Sequence, residues 1–205
     1  MSERLSATVE HLTLPRIVAS PRRDLAMTTL GELTRAGVVT VMQGPLRIPD
    51  DGVLPLLTAK DLLLDREPTG RTGEAPGLVR VEEGDVVASL LVAGGSVPRV
   101  MTQAGAVLGP QLLLFRTDPE RLDPYFLAGC LRAESAASSR PGSSVRLDPR
   151  RAALPRLPIE EQRRYGEAFA RLLALQDTAR AVREISAGLV ATGIDGLLDG
   201  SLKPE

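Results

Sequence analysis

Tryptophan is absent from this 205-residue chain, and three Phe and two Tyr make up its whole aromatic complement. That scarcity removes the stacked-base platforms on which single-strand and RRM-type RNA binders rely, so any nucleic-acid partner is expected to be duplex. One cysteine, Cys130, cannot close an internal disulfide, and one histidine, His11, cannot supply the His/Cys cluster of a zinc or non-haem iron site. No metal and no Cys-His catalysis is expected. No stretch approaches the run of about 18 apolar residues that a membrane span requires, and Met1-Ser2-Glu3-Arg4 does not open a signal peptide. The expectation is a cytoplasmic chain without a membrane segment. Positive charge is also short: 25 Lys and Arg against 26 Asp and Glu give a net charge of −1. An indiscriminate DNA coat is thereby disfavoured, because such binding scales with the number of phosphates neutralised.

What is present describes a globular protein. Hydrophobic residues at 43% and charged residues at 25% sit near the averages for compact domains, not for disordered or fibrous chains. The cations are unevenly placed. Residues 1–98 hold 10 Lys and Arg against 13 Asp and Glu, whereas residues 99–205 hold 15 against 13. The densest positive segment, Arg132 to Arg164, has eight arginines and four acids. Arginine outnumbers lysine 23 to 2, which permits bidentate contact with guanine edges and phosphates. Codon bias of a GC-rich genome also accounts for that overall ratio.

Residues 1–23, with Pro15, Pro21 and Arg22-Arg23, read as a tether or an edge element. Thr28 to Leu33 can open a short strand or a turn of helix, and the β-branched run Val38 to Met42 predicts a strand that Gly44-Pro45 breaks. Leu54 to Thr58 is a second predicted strand, Asp61 to Leu64 a short element, and Asp65 to Gly77 an exposed loop of the kind that carries function. Apolar runs at Val86 to Val92, Val97 to Met101, Ala106 to Leu108 and Gln111 to Phe115 follow at a spacing that suits a mixed or antiparallel sheet. A hairpin turn is expected at Gly94-Gly95. Asp123-Pro124 starts a helix, since a carboxylate suits the cap and proline the first position, and its face Leu127, Cys130, Leu131 is expected to pack on the sheet. Ser135 to Ser144 reads as a loop.

Pro158, followed by Glu160 and Glu161 where the helix dipole favours negative charge, starts the longest element. From there Tyr165, Ala168, Leu172, Leu175, Ala179, Val182, Ser186 and Leu189 repeat at alternating three- and four-residue steps, the seam of a coiled-coil helix, widened by Phe169, Leu173, Ile185 and Val190. That seam runs roughly 37 Å at 1.5 Å per residue, longer than one domain covers, so a partner helix is expected. The alternative is a helix folded back on its own sheet.

The Glu83-Gly84-Asp85-Val86-Val87 turn, the glycine hairpin and Leu122-Asp123-Pro124-Tyr125-Phe126-Leu127 are followed by a Ser/Gly loop and by Leu154-Pro155-Arg156-Leu157-Pro158-Ile159-Glu160-Glu161-Gln162-Arg163-Arg164, which runs into a long helix. In that order they resemble the target-recognition domain of a type I restriction-modification DNA specificity (S) subunit. Thr29-Leu30-Gly31-Glu32-Leu33 and Leu54 to Leu62 resemble that family's opening, so the likeness spans about residues 28–200. It implies an α/β (α+β) fold: a tether over 1–23, a mixed-sheet DNA target-recognition domain over 24–157, and a long coiled-coil-type helix with a tail over 158–205. Family members usually have two recognition domains and two long helices, whereas this chain has room for one of each. It is similar to a half-subunit, or to the recognition domain at the C-terminus of an adenine DNA methyltransferase. The partners implied are double-stranded DNA, an adenine DNA methyltransferase subunit or domain, and a second helix in a homodimer or a mixed pair. The methyltransferase would use S-adenosylmethionine; this chain is expected to bind no cofactor and to catalyse nothing.

Enzymatic readings of individual motifs are weaker. Asp123-Pro124-Tyr125-Phe126 lacks the second proline of the amino-methyltransferase motif and has a sufficient explanation as a helix cap. Gly94-Gly95-Ser96 lacks the lysine of a phosphate loop, and the serines at 138, 139, 143 and 144 have no histidine base in the second half of the chain. The candidate DNA contacts are Arg140, Arg146, Arg150, Arg151, Ser143 and Ser144 around the Ser/Gly loop, with Arg71, Thr72 and Arg99 as further candidates. The candidate helix-pairing residues are Tyr165, Phe169, Leu172, Leu175, Val182 and Leu189. The competing reading is a helical assembly or inhibitor module of a larger complex that uses the same stripe and never touches DNA, which the near-neutral charge favours.

Overall fold

The computed structural model describes residues 17–19, 21, 23–90, 98–138 and 149–204. Most of the expected tether and the Gly94-Gly95 hairpin lie outside them. In chain order the elements are β1 (Met27–Thr29), α1 (Leu30–Arg35), β2 (Val39–Gln43), β3 (Leu54–Leu57), α2 (Ala59–Leu64), β4 (Gly70–Thr72), β5 (Val86–Ser89), β6 (Arg99–Val100), β7 (Val107–Leu108), β8 (Leu112–Thr117), α3 (Pro124–Ser138), a 3-10 turn (Pro149–Arg151), β9 (Ala153–Pro155) and α4 (Ile159–Leu198). The fold is α+β, with one parallel and several antiparallel pairings, and a helix of 40 residues at its end.

Local chemistry sets the two short helices. Thr29 Oγ1 accepts from Glu32 N, and Glu32 in turn accepts from Thr29 N at 2.9 Å; Thr58 and Asp61 make the same reciprocal pair at the start of α2. Each capping box satisfies two helix-start donors at once. These are the Thr-Leu-Gly-Glu and Thr-Ala-Lys-Asp strings singled out above.

The central sheet has the order β2-β8-β5-β6 and is antiparallel throughout, with Val41 opposite Phe115 and Val87 opposite Leu114. Side chains alternate across it. Val39, Val86, Ala88, Leu113 and Phe115 enter one apolar cluster with Phe126, Leu127 and Leu131 of α3 and Leu154 of β9, whereas Val87, Leu112 and Leu114 enter a second with Leu57, Leu62 and Leu108. Both faces are thus covered. This is why β8 reads as an unbroken Leu-Leu-Leu-Phe run and not as an alternating strand. The second face is covered by the sheet β4-β3-β7, where β3 runs parallel to β7, and the first by α3 and the two-stranded β1-β9 sheet.

Three expectations differ from what is observed. Within the expected loop Asp65 to Gly77, residues 70–72 pair with β3 as strand β4, and Thr72 is fully buried. The helix α3 runs on to Ser138 instead of ending before Ser135, since alanines continue it and the buried Ser135 hydroxyl is satisfied on the Leu131 carbonyl. The short strand β9 went unforeseen: a three-residue segment ending in proline carries no strand signal, and its pairing with β1 is more than a hundred residues distant.

Compact units divide the chain inside α4, between Phe169 and Ala170. Among the described residues no helix is long and apolar enough to cross a membrane.

Candidate nucleic-acid interface

The loop after α2 is held by one carboxylate. Asp61, fully buried, accepts from Thr58 Oγ1 (2.6 Å), Thr69 Oγ1 (2.8 Å) and Arg66 Nε (2.8 Å) as well as from the backbone of Thr58 and Thr69. Burial works to raise its pKa, but the hydrogen bonds from Thr58, Thr69 and Arg66 outweigh it and hold the carboxyl well below the usual range. Asp65 closes α2 in the left-handed region at φ 49°, a conformation that Asp tolerates.

Across from this loop, Arg99 on β6 donates from Nε to the Leu62 carbonyl at 2.6 Å and pairs through Nη1 with Asp65 at 2.8 Å. It satisfies a carbonyl near the C-terminus of α2 and joins that helix to the central sheet. Between the two lies an open cleft of about 430 Å³ whose polar lining includes Arg66, Glu67, Arg71, Arg99, Thr102 and Gln103, over a floor formed in part by Leu57, Leu62 and Ala106. Arg71 is exposed and donates only to the carbonyls of Pro68 and Gly70.

Two of the expected DNA contacts, Arg71 and Arg99, are therefore brought into one cleft, and they differ in kind. Arg99 is engaged as a brace. Thr72 offers nothing to a ligand, since it is fully buried with its hydroxyl donating to the Pro49 carbonyl at 2.9 Å. Arg150 and Arg151 are exposed on the 3-10 turn, beside the buried Ala152. They belong to the α3 side of the central sheet, whereas Arg71 belongs to the β3 side. Arg140, Arg146, Ser143 and Ser144 lie outside the described residues. Sequence reasoning passed over Arg66, Glu67 and Gln103, whose only signal is position in exposed loops. Among the described residues no group of His, Cys, Asp and Glu is placed to hold a metal. Cys130 is buried on α3, and burial pushes its thiol up to about 12.

The Asp123-Pro124 and Pro158-to-Gln162 motifs meet in space. Asp123 Oδ1 accepts from Phe126 N at 2.7 Å and caps α3, while Asp123 N donates to Gln162 Oε1 at 3.2 Å. The buried Gln162 amide also donates to the carbonyls of Leu157 (2.9 Å) and Arg121 (3.3 Å). One glutamine thus fastens the start of α4 to the start of α3. Burial raises the Asp123 carboxyl above its ordinary value despite the helix N–H groups that lower it. Glycine allows the approach: a Cβ at Gly166 would overlap Asp123 Oδ1, and one at Gly129 would overlap the Phe169 ring. Phe126 stacks on Phe169 and meets Tyr165 edge-on, with centroids 6.3 and 6.4 Å apart. Tyr165 and Phe169, expected to face a second helix, both contact Phe126 of α3, and Tyr165 remains about two-fifths exposed. Gly129 on α3 admits the Phe169 ring.

Beyond Phe169 the stripe is open to solvent. Leu172 and Val182 are about two-fifths exposed and Leu189 half exposed, with Leu175 partly buried. Ile185, Val190, Ile194, Leu197 and Leu198 are exposed as well. The helix stops after Leu198, where Gly200 takes φ 78° and Leu202 N reaches back to the Gly196 carbonyl.

No protein-family model and no curated protein matches the chain. Solved structures do. A structure of an assembled type I restriction-modification system matches with a TM-score of 0.57 at 23% identity, over 93% of this chain and 50% of that one. The HsdS subunit from Thermoanaerobacter tengcongensis matches at 0.54 and 22%, over 89% of this chain and 45% of that one. The S subunit from M. genitalium matches at 0.50 and 16%, over 88% of this chain and 46% of that one. The chain spans about half the length of these solved chains. Its mixed sheets and its single long helix together have the fold of one half of a type I restriction-modification specificity subunit.

Proposed function

We propose that this chain recognises a specific sequence in duplex DNA on behalf of a restriction-modification adenine methyltransferase. In this reading its last helix pairs with a second one, from another copy or from the methyltransferase, to fix spacing and docking. The observation that carries the reading is the extent of the likeness, which runs through the recognition unit and the long helix together over 93% of the chain. A shared fold alone does not set function; two features of the residues support the step. Exposed arginines stand at Arg71, Arg150 and Arg151, and apolar side chains from Leu172 to Leu198 remain open to a partner. Two copies related by a two-fold axis would supply two recognition domains and read an interrupted palindrome, with the helix pair as the ruler.

Catalysis and S-adenosylmethionine belong, in this reading, to the methyltransferase. Asp123, which most resembles a methyltransferase residue, is engaged at a helix cap and against Gln162. Arg140, Arg146, Ser143 and Ser144 complete the DNA contacts in this reading. Co-expression with the adenine methyltransferase of the same genome, followed by mapping of N6-methyladenine, tests the assignment. Methylation confined to one sequence and dependent on this chain is expected; methylation that is unaltered without it defeats the proposal.

The second reading, an assembly or inhibitor module that never touches DNA, is favoured by the net charge of −1 and the open stripe. Such a module would co-purify with the methyltransferase, select no DNA sequence, and tolerate substitution of Arg140 and Arg146.

A further inference from the structure

The cleft beside α2 has an unusual polar balance. Three acids and three arginines line it: Asp61, Asp65, Glu67, Arg66, Arg71 and Arg99. Four of the six cancel in pairs, Asp61 with Arg66 and Asp65 with Arg99, each at 2.8 Å. What remains is one exposed carboxylate, Glu67, and one exposed guanidinium, Arg71, which donates only to the neighbouring Pro68 and Gly70 carbonyls. On the opposite wall Thr102 and Gln103 are exposed; Glu67 and Gln103 have no hydrogen-bond or ion-pair partner among the described residues.

This is a poor set for phosphate. A phosphate presents acceptors only, and Glu67 would repel it. A base edge presents donors and acceptors together: guanine offers two acceptors to an arginine, adenine an acceptor and a donor to a glutamine, and cytosine a donor to a carboxylate. Glu67, Arg71 and Gln103 are the residue types that match these three patterns. Arg71 stands on strand β4 and Glu67 and Gln103 on the loops beside it, and these are fixed from behind, since Asp61 ties Thr58, Arg66 and Thr69 together and Arg99 ties β6 to the end of α2. A rigid mount of this kind keeps donors and acceptors in register with a base edge.

Resting on the duplex-recognition reading above, we infer that this cleft is a base-reading site, with Glu67, Arg71 and Gln103 as specificity-determining residues and Asp61, Arg66 and Arg99 as the residues that position them. Arg150 and Arg151, on the other side of the central sheet, are then left to hold the backbone.

Selection of bound sites from a randomised duplex library by the full chain, co-purified with its methyltransferase, tests this. Wild type is run beside Glu67→Gln, Arg71→Ala, Gln103→Ala and, as a control on the far side of the sheet, Arg151→Ala. Each cleft variant is expected to lose preference at one or two positions of the selected site by about 5- to 150-fold, while melting as wild type does and binding unrelated duplex equally well. Arg151→Ala is expected to weaken all sequences alike and leave the site unchanged. A wild-type motif that survives intact in all three cleft variants overturns the cleft assignment and leaves the recognition function standing. The same holds for cleft variants that weaken every sequence uniformly. Absence of any wild-type motif defeats the recognition function itself.

Discussion

Asp61 shows how much one buried side chain organises. Its carboxylate takes three side-chain and two backbone hydrogen bonds from Thr58, Arg66 and Thr69, and it is the third helical residue of a capping box. Removing its charge while keeping its shape weakens all of these bonds together, because a charged acceptor contributes more than a neutral one. Asp61→Asn is therefore expected to lower stability by about 1–3 kcal/mol at pH 7, measured as a fall in the urea midpoint. The pH dependence has a definite sign. A carboxyl held low in the folded chain stabilises it fully above the ordinary aspartate value of about 4, and that contribution drains away as pH falls toward the depressed folded-state value. The gap between wild type and Asp61→Asn should accordingly be widest near neutrality and narrow below about pH 4; a gap that stays constant down to pH 3 would show that the charge is not what the site uses.

At the scale of elements, the junction between α3 and α4 turns two separate motifs into one structure. Gln162 uses both ends of its amide across the two helix starts, so Gln162→Ala leaves Asp123 N and the Leu157 carbonyl short of a partner in a buried place. A loss of about 1–3 kcal/mol is expected. Gly166→Ala tests the same junction from the packing side. Alanine favours a helix by about 1 kcal/mol over glycine, so an isolated helix would gain; here the added Cβ meets the Asp123 carboxylate, and net destabilisation of about 1–3 kcal/mol in thermal or urea unfolding is expected. A neutral or stabilised Gly166→Ala chain would mean that the helix starts sit further apart. The start of each of these helices was legible in the residues, because Asp-Pro and Pro followed by two acids are local signals. That Asp123 and Gln162 touch was not, since nothing local encodes a contact 39 residues apart. The same division holds at the cleft. Arg71 and Arg99 were identifiable as arginines in exposed, punctuated segments, but their convergence depends on β3 running parallel to β7 and on β6 joining β5, pairings that no periodicity announces. Thr72 was misplaced because a three-residue edge strand inside a Pro/Gly-rich stretch reads as loop. Phe169 widens the same stripe that Leu172 belongs to, and nothing local announces that Gly129 lets its ring in against α3.

For the molecule as a whole, the question is what the second half of α4 is for. Its first turns are held by Gln162, Tyr165 and Phe169, so the recognition unit has no need of Leu172, Val182 or Leu189 for its own core. Full burial is worth about 1.5–3 kcal/mol for a fully exposed side chain of this size, and these, two-fifths to half exposed, would each gain a fraction of that against an already formed second helix. Replacing Leu172, Val182 and Leu189 together by glutamate should therefore act on assembly and not on folding. Wild type is expected to sediment as a species larger than one chain, or to be retained on its methyltransferase, whereas the triple variant sediments as a single chain and is no longer retained. The melting temperature of the recognition unit, followed by near-ultraviolet circular dichroism of its tyrosines, should stay within a few degrees. Both results are required: a variant that remains associated would show that the stripe is not the pairing surface, and one that unfolds would show that the stripe serves the chain's own core.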